Sequence, residues 1–188
     1  MLLQVMRIFF ALDVSPSTKM AVSDWRDKSF RELAGVRPVS PGNFHITLAF
    51  IGEVAATKLE GLCDDVDQLL GRGSVEAGNL VINELGYWQR QGILWLGPRH
   101  CPGQFSQLAD GLKGLATRVG GKRDNRLFKP HITLFRRCKS PPPPPLDPPD
   151  FSLSYREFIL LESRQNKRGV SYHAVASWQL NPSSNTSD

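Results

Sequence analysis

Short apolar runs, broken every eight to fifteen residues by glycine, proline or polar clusters, dominate the chain. "RIFFALDV" (7–14) predicts a strand with Ile8, Phe10 and Leu12 on one face and Phe9, Ala11 and Asp13 on the other. "SPST" then starts a helix, with Ser15 as N-cap and Pro16 in the first turn. That helix is expected to run to about Leu33, with Val22, Trp25, Ser29 and Leu33 on one stripe, and to stop at Gly35. Residues 36–39 suit a short edge strand, because Pro38 bars a central one. A turn at 41–43 leads into a strand over 44–52. Leu59, Leu62, Cys63, Val66, Leu69 and Leu70 recur at helical spacing over 55–70.

In the second half, 79–88 and 92–97 predict two strands joined by a hairpin around Gln89–Gly92. Phe105, Leu108, Leu112, Leu115 and Val119 predict a helix over 102–120. A strand over 126–135 follows. "SPPPPPLDPPD" (140–150) cannot feed a hydrogen-bond ladder and predicts an extended surface spacer. Two strands over 157–164 and 170–180 close the pattern, and 181–188 predict a disordered tail. Hairpins outnumber the helices needed for parallel crossovers. The pattern is therefore α+β with mostly antiparallel sheet, a single domain over 1–180 with the proline-rich loop inside it.

Composition adds limits. The 188 residues are ordinary for a globular domain, with 40% hydrophobic and 22% charged residues. A net charge of +5 favours anionic partners such as RNA or phosphate esters, though it does not single one out. Three irregularly spaced cysteines, Cys63, Cys101 and Cys138, point away from a disulfide scaffold and towards a reducing compartment. The apolar start lacks a small-residue cleavage site, and no stretch has the apolar length of a membrane span, so a cytoplasmic monomer with no membrane partner is the expectation.

The chemistry lies in a duplication. Among only four histidines, His-Ile-Thr-Leu is spelled twice, at 45–48 and at 131–134. In a strand, His45 and Thr47 share one face while Ile46 and Leu48 share the other; His131, Thr133, Ile132 and Leu134 repeat the arrangement. Each motif so presents an imidazole and a hydroxyl about 7 Å apart, a spacing suited to different atoms of one phosphate. A lone strand histidine is usually structural, but a core would not select the polar half of the motif twice. Two imidazoles that titrate near neutrality can serve as general acid and general base. A metal site is disfavoured: neither motif has a carboxylate or thiol close by on its face, and Cys138 falls beyond the second strand. There is no phosphate-binding P-loop, dinucleotide fingerprint or nucleophile elbow, so no cofactor is called for and ATP dependence is not indicated.

The paired H-x-T-x motifs, with "MRIFFALDV", "VRPVSPGNFHITLAFIGEV", "GILWLG", "FKPHITLFR" and "FILLESR…GVSYHAVASWQL" around them, resemble the 2H phosphoesterase superfamily almost end to end. The flanks are similar to its bacterial and archaeal branch, the RNA 2′,3′-cyclic phosphodiesterases, also called 2′-5′ RNA ligases. The resemblance implies two pseudo-symmetric lobes of antiparallel sheet with helices outside and a cleft between them. It implies hydrolysis of RNA 2′,3′-cyclic phosphate ends to 2′-phosphates without metal. His45 would be the proton donor, His131 the proton acceptor, and Thr47 and Thr133 the phosphate holders. Reversal with an RNA 5′-hydroxyl would give ATP-independent 2′-5′ ligation. The match to "MRIFFAL" starts at Met6, which leaves residues 1–5 as an upstream extension or a start-site choice, and the proline-rich run is longer than the family's loop there.

Further candidates for RNA contact are Arg136, Lys129 and Phe9. Arg136 lies opposite the histidine on a regular strand, but is able to curl back where the strand ends. Lys129 shares the histidine's face, and Phe9 is a ring for base stacking, with core packing as its competing role. His100 and His173 lack a threonine two residues on and are left out of the site. Two other readings compete with RNA hydrolysis. One keeps the mechanism and changes the substrate to a small cyclic nucleotide, ADP-ribose cyclic phosphate or 2′-5′ oligoadenylate. The other is a non-catalytic RNA-binding module, which would have no use for two titrating groups.

Overall fold

Two four-stranded antiparallel sheets each receive one His-Ile-Thr-Leu motif. The structure, a computed structural model, describes residues 4–73, 75–122, 124–167 and 169–182. The first sheet has the order β10-β9-β1-β3, from β1 (Val5–Asp13), β3 (His45–Ala55), β9 (Glu157–Asn166) and β10 (Gly169–Gln179). The second has the order β2-β7-β6-β5, from β2 (Arg37–Pro38), β5 (Glu84–Trp88), β6 (Ile93–Gly97) and β7 (Ile132–Arg136). A two-stranded ribbon joins β4 (Gly78–Ile82) to β8 (Phe151–Tyr155). Three helices complete it: α1 (Pro16–Ser29), α2 (Leu59–Arg72) and α3 (Gly103–Arg118). The α+β, antiparallel expectation holds, and Pro38 does lie on an edge strand. No helix among the described residues is long and apolar enough to cross a membrane.

Ser15 caps α1 as its position predicts, its hydroxyl accepting the Thr18 N–H at 3.2 Å. The helix stops a turn before Leu33, where the Phe30 N–H closes on Arg26 O. Its buried side holds Val22, Ser23 and Arg26. Arg26 is 4% exposed. Its guanidinium donates to the Val39 carbonyl and lies over the rings of Phe44, just before β3, and Phe135, in β7. A buried cation with satisfied donors therefore ties α1 to both motif strands.

The run 79–88 is two strands. Asn83 breaks it: its N–H donates to Gly97 O, its side chain accepts from Arg99 N, and β4 leaves to pair with β8. β8 was not expected. Its alternation is clear, with Leu153 and Tyr155 buried and Ser152 and Ser154 exposed, but it follows directly on the proline run. The second motif strand starts at Ile132, so 126–131 are loop, Pro130 being unable to donate to a ladder. Residues 140–150 have no regular secondary structure and are mostly exposed, anchored where the Trp25 indole donates to Asp147 O at 3.0 Å. At the chain's ends the sequence boundaries move. Val5 pairs with Ala55 and Gln4 O accepts from Ala56, so the sheet reaches into the supposed extension; residues 1–3 lie outside the described residues. Asn181 exchanges hydrogen bonds with Val75 and Ala77, and the rest of the expected tail from 183 on lies outside the described residues.

Ile46, Leu48, Ile132 and Leu134 are at most 1% exposed and join Phe10, Leu12, Phe105 and Phe158 in the main core. Each such side chain contributes about 1.5–3 kcal/mol on burial, enough to fix strand register and with it the facing of the polar half of each motif. A separate small cluster of Phe9, Ala11 and Leu161, with Ile159 and Tyr172 against it, lines the other face of the first sheet, the one that carries His45.

Candidate active site

Each motif strand carries a bulge at its leucine. Along β1 and β3, Phe10 faces Ala49 but Ala11 faces Thr47, which leaves Leu48 as the extra residue. Along β6 and β7, Leu94 faces Phe135 but Trp95 faces Thr133, which leaves Leu134 as the extra residue. A bulge shifts the period of two by one. The residue five after each histidine, opposite on a regular strand, thereby returns to the histidine's face. Those residues are Phe50 and Arg136. Arg136 is therefore not on the far face, and its charge acts on both His45 and His131.

The two imidazoles are held alike. His45 Nδ1–H donates to Asn43 O and His131 Nδ1–H to Lys129 O, each at 2.8 Å and each to the carbonyl two residues upstream. With Nδ1 protonated, the neutral ring keeps its lone pair on Nε2. In His45 that nitrogen accepts the Thr47 hydroxyl at 3.1 Å. Burial lowers the His45 pKa to about 4, against the raising effect of the Asn43 carbonyl, with His131, Arg136 and Lys19 lowering it further. Burial also lowers that of His131, with Arg136 and Arg126 adding to it and the Lys129 carbonyl opposing. The effect of His131 on the His45 ring, and the response of both rings to Arg136, place the two motifs near one another. Both shifts favour the neutral rings near pH 7 in the unliganded protein.

Aromatic walls hold the rings. Phe9 and Tyr172 lie 5.1 and 5.0 Å from the His45 ring. Trp88 lies edge-on to His131 at 4.5 Å, with Trp95 behind it. Trp95 fits because Gly86, opposite it, has no Cβ; one there would overlap the indole. The buried Trp95 Nε1–H has no hydrogen-bond partner among the described residues. Phe9 is only 2% exposed, so it floors the site beneath His45 and offers no free stacking face. The more exposed ring is Phe50, 46% exposed, which stacks on Phe9 and has the Arg7 guanidinium over it. Lys129 also departs from expectation. Its ammonium is bound to Glu84 and lies over Trp95, so its charge braces the wall, and its carbonyl is what serves His131. Thr133 shares the Trp95 face through their register pairing. Sequence reading missed Phe50, Trp88, Tyr172 and Arg126; Phe50 was open to detection, since it has the same offset from His45 that Arg136 has from His131.

Among the described residues no three His, Cys, Asp or Glu side chains gather as metal ligands. What the site can do is accept and give protons at two Nε2 atoms beside two hydroxyls and a guanidinium.

Comparison with known proteins agrees with this geometry. An RNA 2′,3′-cyclic phosphodiesterase of Escherichia coli is 38% identical over 93% of this chain and 96% of its own length. The chain belongs to the LigT-like phosphoesterase family. The family profile matches residues 12–95, spanning the first motif. A family member of Thermus thermophilus, also an RNA 2′,3′-cyclic phosphodiesterase, is 28% identical over 93% of this chain and 90% of its own. Among solved structures, E. coli LigT complexed with 3′-AMP superposes with a TM-score of 0.81 at 36% identity, covering 94% of this chain and 99% of that one. A structure described only as a phosphoesterase reaches 0.84 at 35% identity, covering 95% and 99%. The family's fold is thus present nearly end to end.

Proposed function

We propose that this chain hydrolyses RNA 2′,3′-cyclic phosphate ends to 2′-phosphates by acid–base catalysis between His45 and His131. The observation that carries the reading is the matched pair of half-buried imidazoles, each tied through Nδ1 so that the neutral ring keeps its lone pair on Nε2. The family relatives act on the same class of substrate by name. In the proposed step His131 Nε2 takes a proton from water, and the water oxygen bonds to phosphorus. The bond from phosphorus to the 3′ oxygen breaks, and that oxygen takes a proton from His45 Nε2–H. The products are a 2′-phosphomonoester and a free 3′-hydroxyl. Thr47 and Thr133 donate to the non-bridging oxygens, and Arg136 balances their charge.

The low pKa of His45 leaves its ring neutral in the unliganded protein, so it has to load a proton when substrate binds before it can act as donor. The anionic substrate supplies what the unliganded site lacks: a negative charge between the rings raises both pKa values and lets one ring load a proton. With an RNA 5′-hydroxyl in place of water as the nucleophile, the same groups form a 2′-5′ linkage as the P–O3′ bond breaks, the opening of the ring replacing ATP. A smaller cyclic nucleotide fits the same chemistry, a reading favoured by the capture of 3′-AMP by E. coli LigT. Replacement of either histidine tests the mechanism. His45→Ala and His131→Ala should each lower kcat on a cyclic-phosphate RNA at least about a hundredfold, with the melting temperature held within a few degrees. Near-normal turnover in either variant would remove that histidine from the mechanism.

A further inference from the structure

The edge strand β2 has only two residues, and its register sets Arg37 directly opposite Arg136. Cross-strand partners share a face and lie about 5 Å apart at Cβ, where like charges destabilise a sheet. Both arginines are exposed, and among the described residues neither has an ion-pair partner. Other arginines in the chain do find carboxylates: Arg126 has Asp124, Arg118 has Asp65 and Arg164 has Glu162. The opposed pair therefore keeps a local electrostatic cost that no carboxylate of the described protein relieves.

Location gives the pair its meaning. The bulge at Leu134 turns Arg136 to the histidine face, and a register partner of Arg136 faces the same way. Arg37 is one step further from the histidines, towards the β9–β10 turn, where its guanidinium approaches Gly169. Asn43, whose carbonyl holds His45, donates to Val170 O at the same turn. Arg37 thus stands beside the site yet outside the groups that hold its imidazoles.

We infer that Arg37 binds the phosphodiester next to the reacting end of an RNA strand, while Arg136 serves the terminal phosphate itself. Two guanidiniums rooted on neighbouring strands reach two successive phosphates of one backbone, and each is suited to the fork geometry of a phosphate. This deepens the proposed function and rests on it. It makes an RNA strand the preferred substrate, because a cyclic mononucleotide has no second phosphate for Arg37 to hold.

The test compares Arg37→Ala with the unaltered chain on two substrates, a ten-nucleotide RNA ending in a 2′,3′-cyclic phosphate and 2′,3′-cyclic AMP. Arg37→Ala should lower kcat/KM for the RNA about tenfold, and at least about fivefold more than for the mononucleotide. The slope of log kcat/KM for the RNA against log salt should shrink by about one, the signature of one lost phosphate contact. Equal losses on the two substrates, or no loss on either, would overturn the inference. Anisotropy titration with the same RNA carrying a 2′-phosphate end supplies a readout free of turnover, and there the variant should bind about tenfold more weakly; equal affinity would overturn the inference too. Absence of turnover on both substrates by the unaltered chain would instead sink the phosphodiesterase reading, leaving the titration to judge Arg37 alone.

Discussion

The two histidines set the pH behaviour of the protein. Each donates Nδ1–H to a fixed carbonyl, and burial presses both pKa values below the usual 6.5. Catalysis by the mechanism above needs one ring charged and one neutral. The profile of kcat/KM, which reports the free enzyme, should therefore be bell-shaped with its maximum on the acid side of 6.5. The profile of kcat should sit at higher pH, because bound phosphate raises both values. A kcat/KM maximum above pH 8 would contradict this electrostatic picture. Stability follows with a definite sign. An unfolded chain protonates its histidine near 6.5 while folded His45 waits until about 4, so the unfolded state binds more protons between those limits. Unfolding free energy should fall as the pH drops from 6.5 to about 4, by on the order of 3 kcal/mol from this residue. His45→Gln should flatten that part of the denaturant-derived stability curve; an unchanged slope would mean that His45 is not buried neutral.

Strand geometry explains what the sequence could and could not reveal. Period-two alternation correctly divided both motifs, placing Ile46, Leu48, Ile132 and Leu134 in the core and the polar pairs opposite. The bulges were not legible, because a bulge depends on the partner strand, and neither Leu48 nor Leu134 differs in type from a regular core leucine. This is why a regular strand puts Arg136 opposite the histidine, and why Phe50 does not stand out in the sequence. β8 was lost for a local reason, its five residues following directly on a proline run. The ion pair of Lys129 with Glu84 is not legible either, since the carboxylate is 45 residues away in sequence. The second sheet also contains a close approach that alternation does not show. Gly86 lies under the Trp95 indole, which backs Trp88 and His131. Gly86→Ala should cost about 1–3 kcal/mol by overpacking and lower kcat/KM by shifting that wall. A melting temperature equal to that of the unaltered protein would show that the wall has room to yield.

Over the whole molecule, the duplication becomes two sheets with matched histidines, matched carbonyl tethers and matched bulges. Their differences are as informative as their likeness. At the fifth position after the histidine one sheet offers an exposed ring, Phe50, and the other a guanidinium, Arg136. A base and a phosphate make the same contrast within one nucleotide. The central claim is that the two imidazoles alone take and give the protons, with the 3′ oxygen as leaving group. Its most direct test is to incubate the protein with an RNA ending in a 2′,3′-cyclic phosphate, in the presence of EDTA, and to identify the phosphate at the product's end. The account predicts full turnover to a 2′-phosphate. A 3′-phosphate product, or activity abolished by EDTA and restored by a divalent metal, would contradict it.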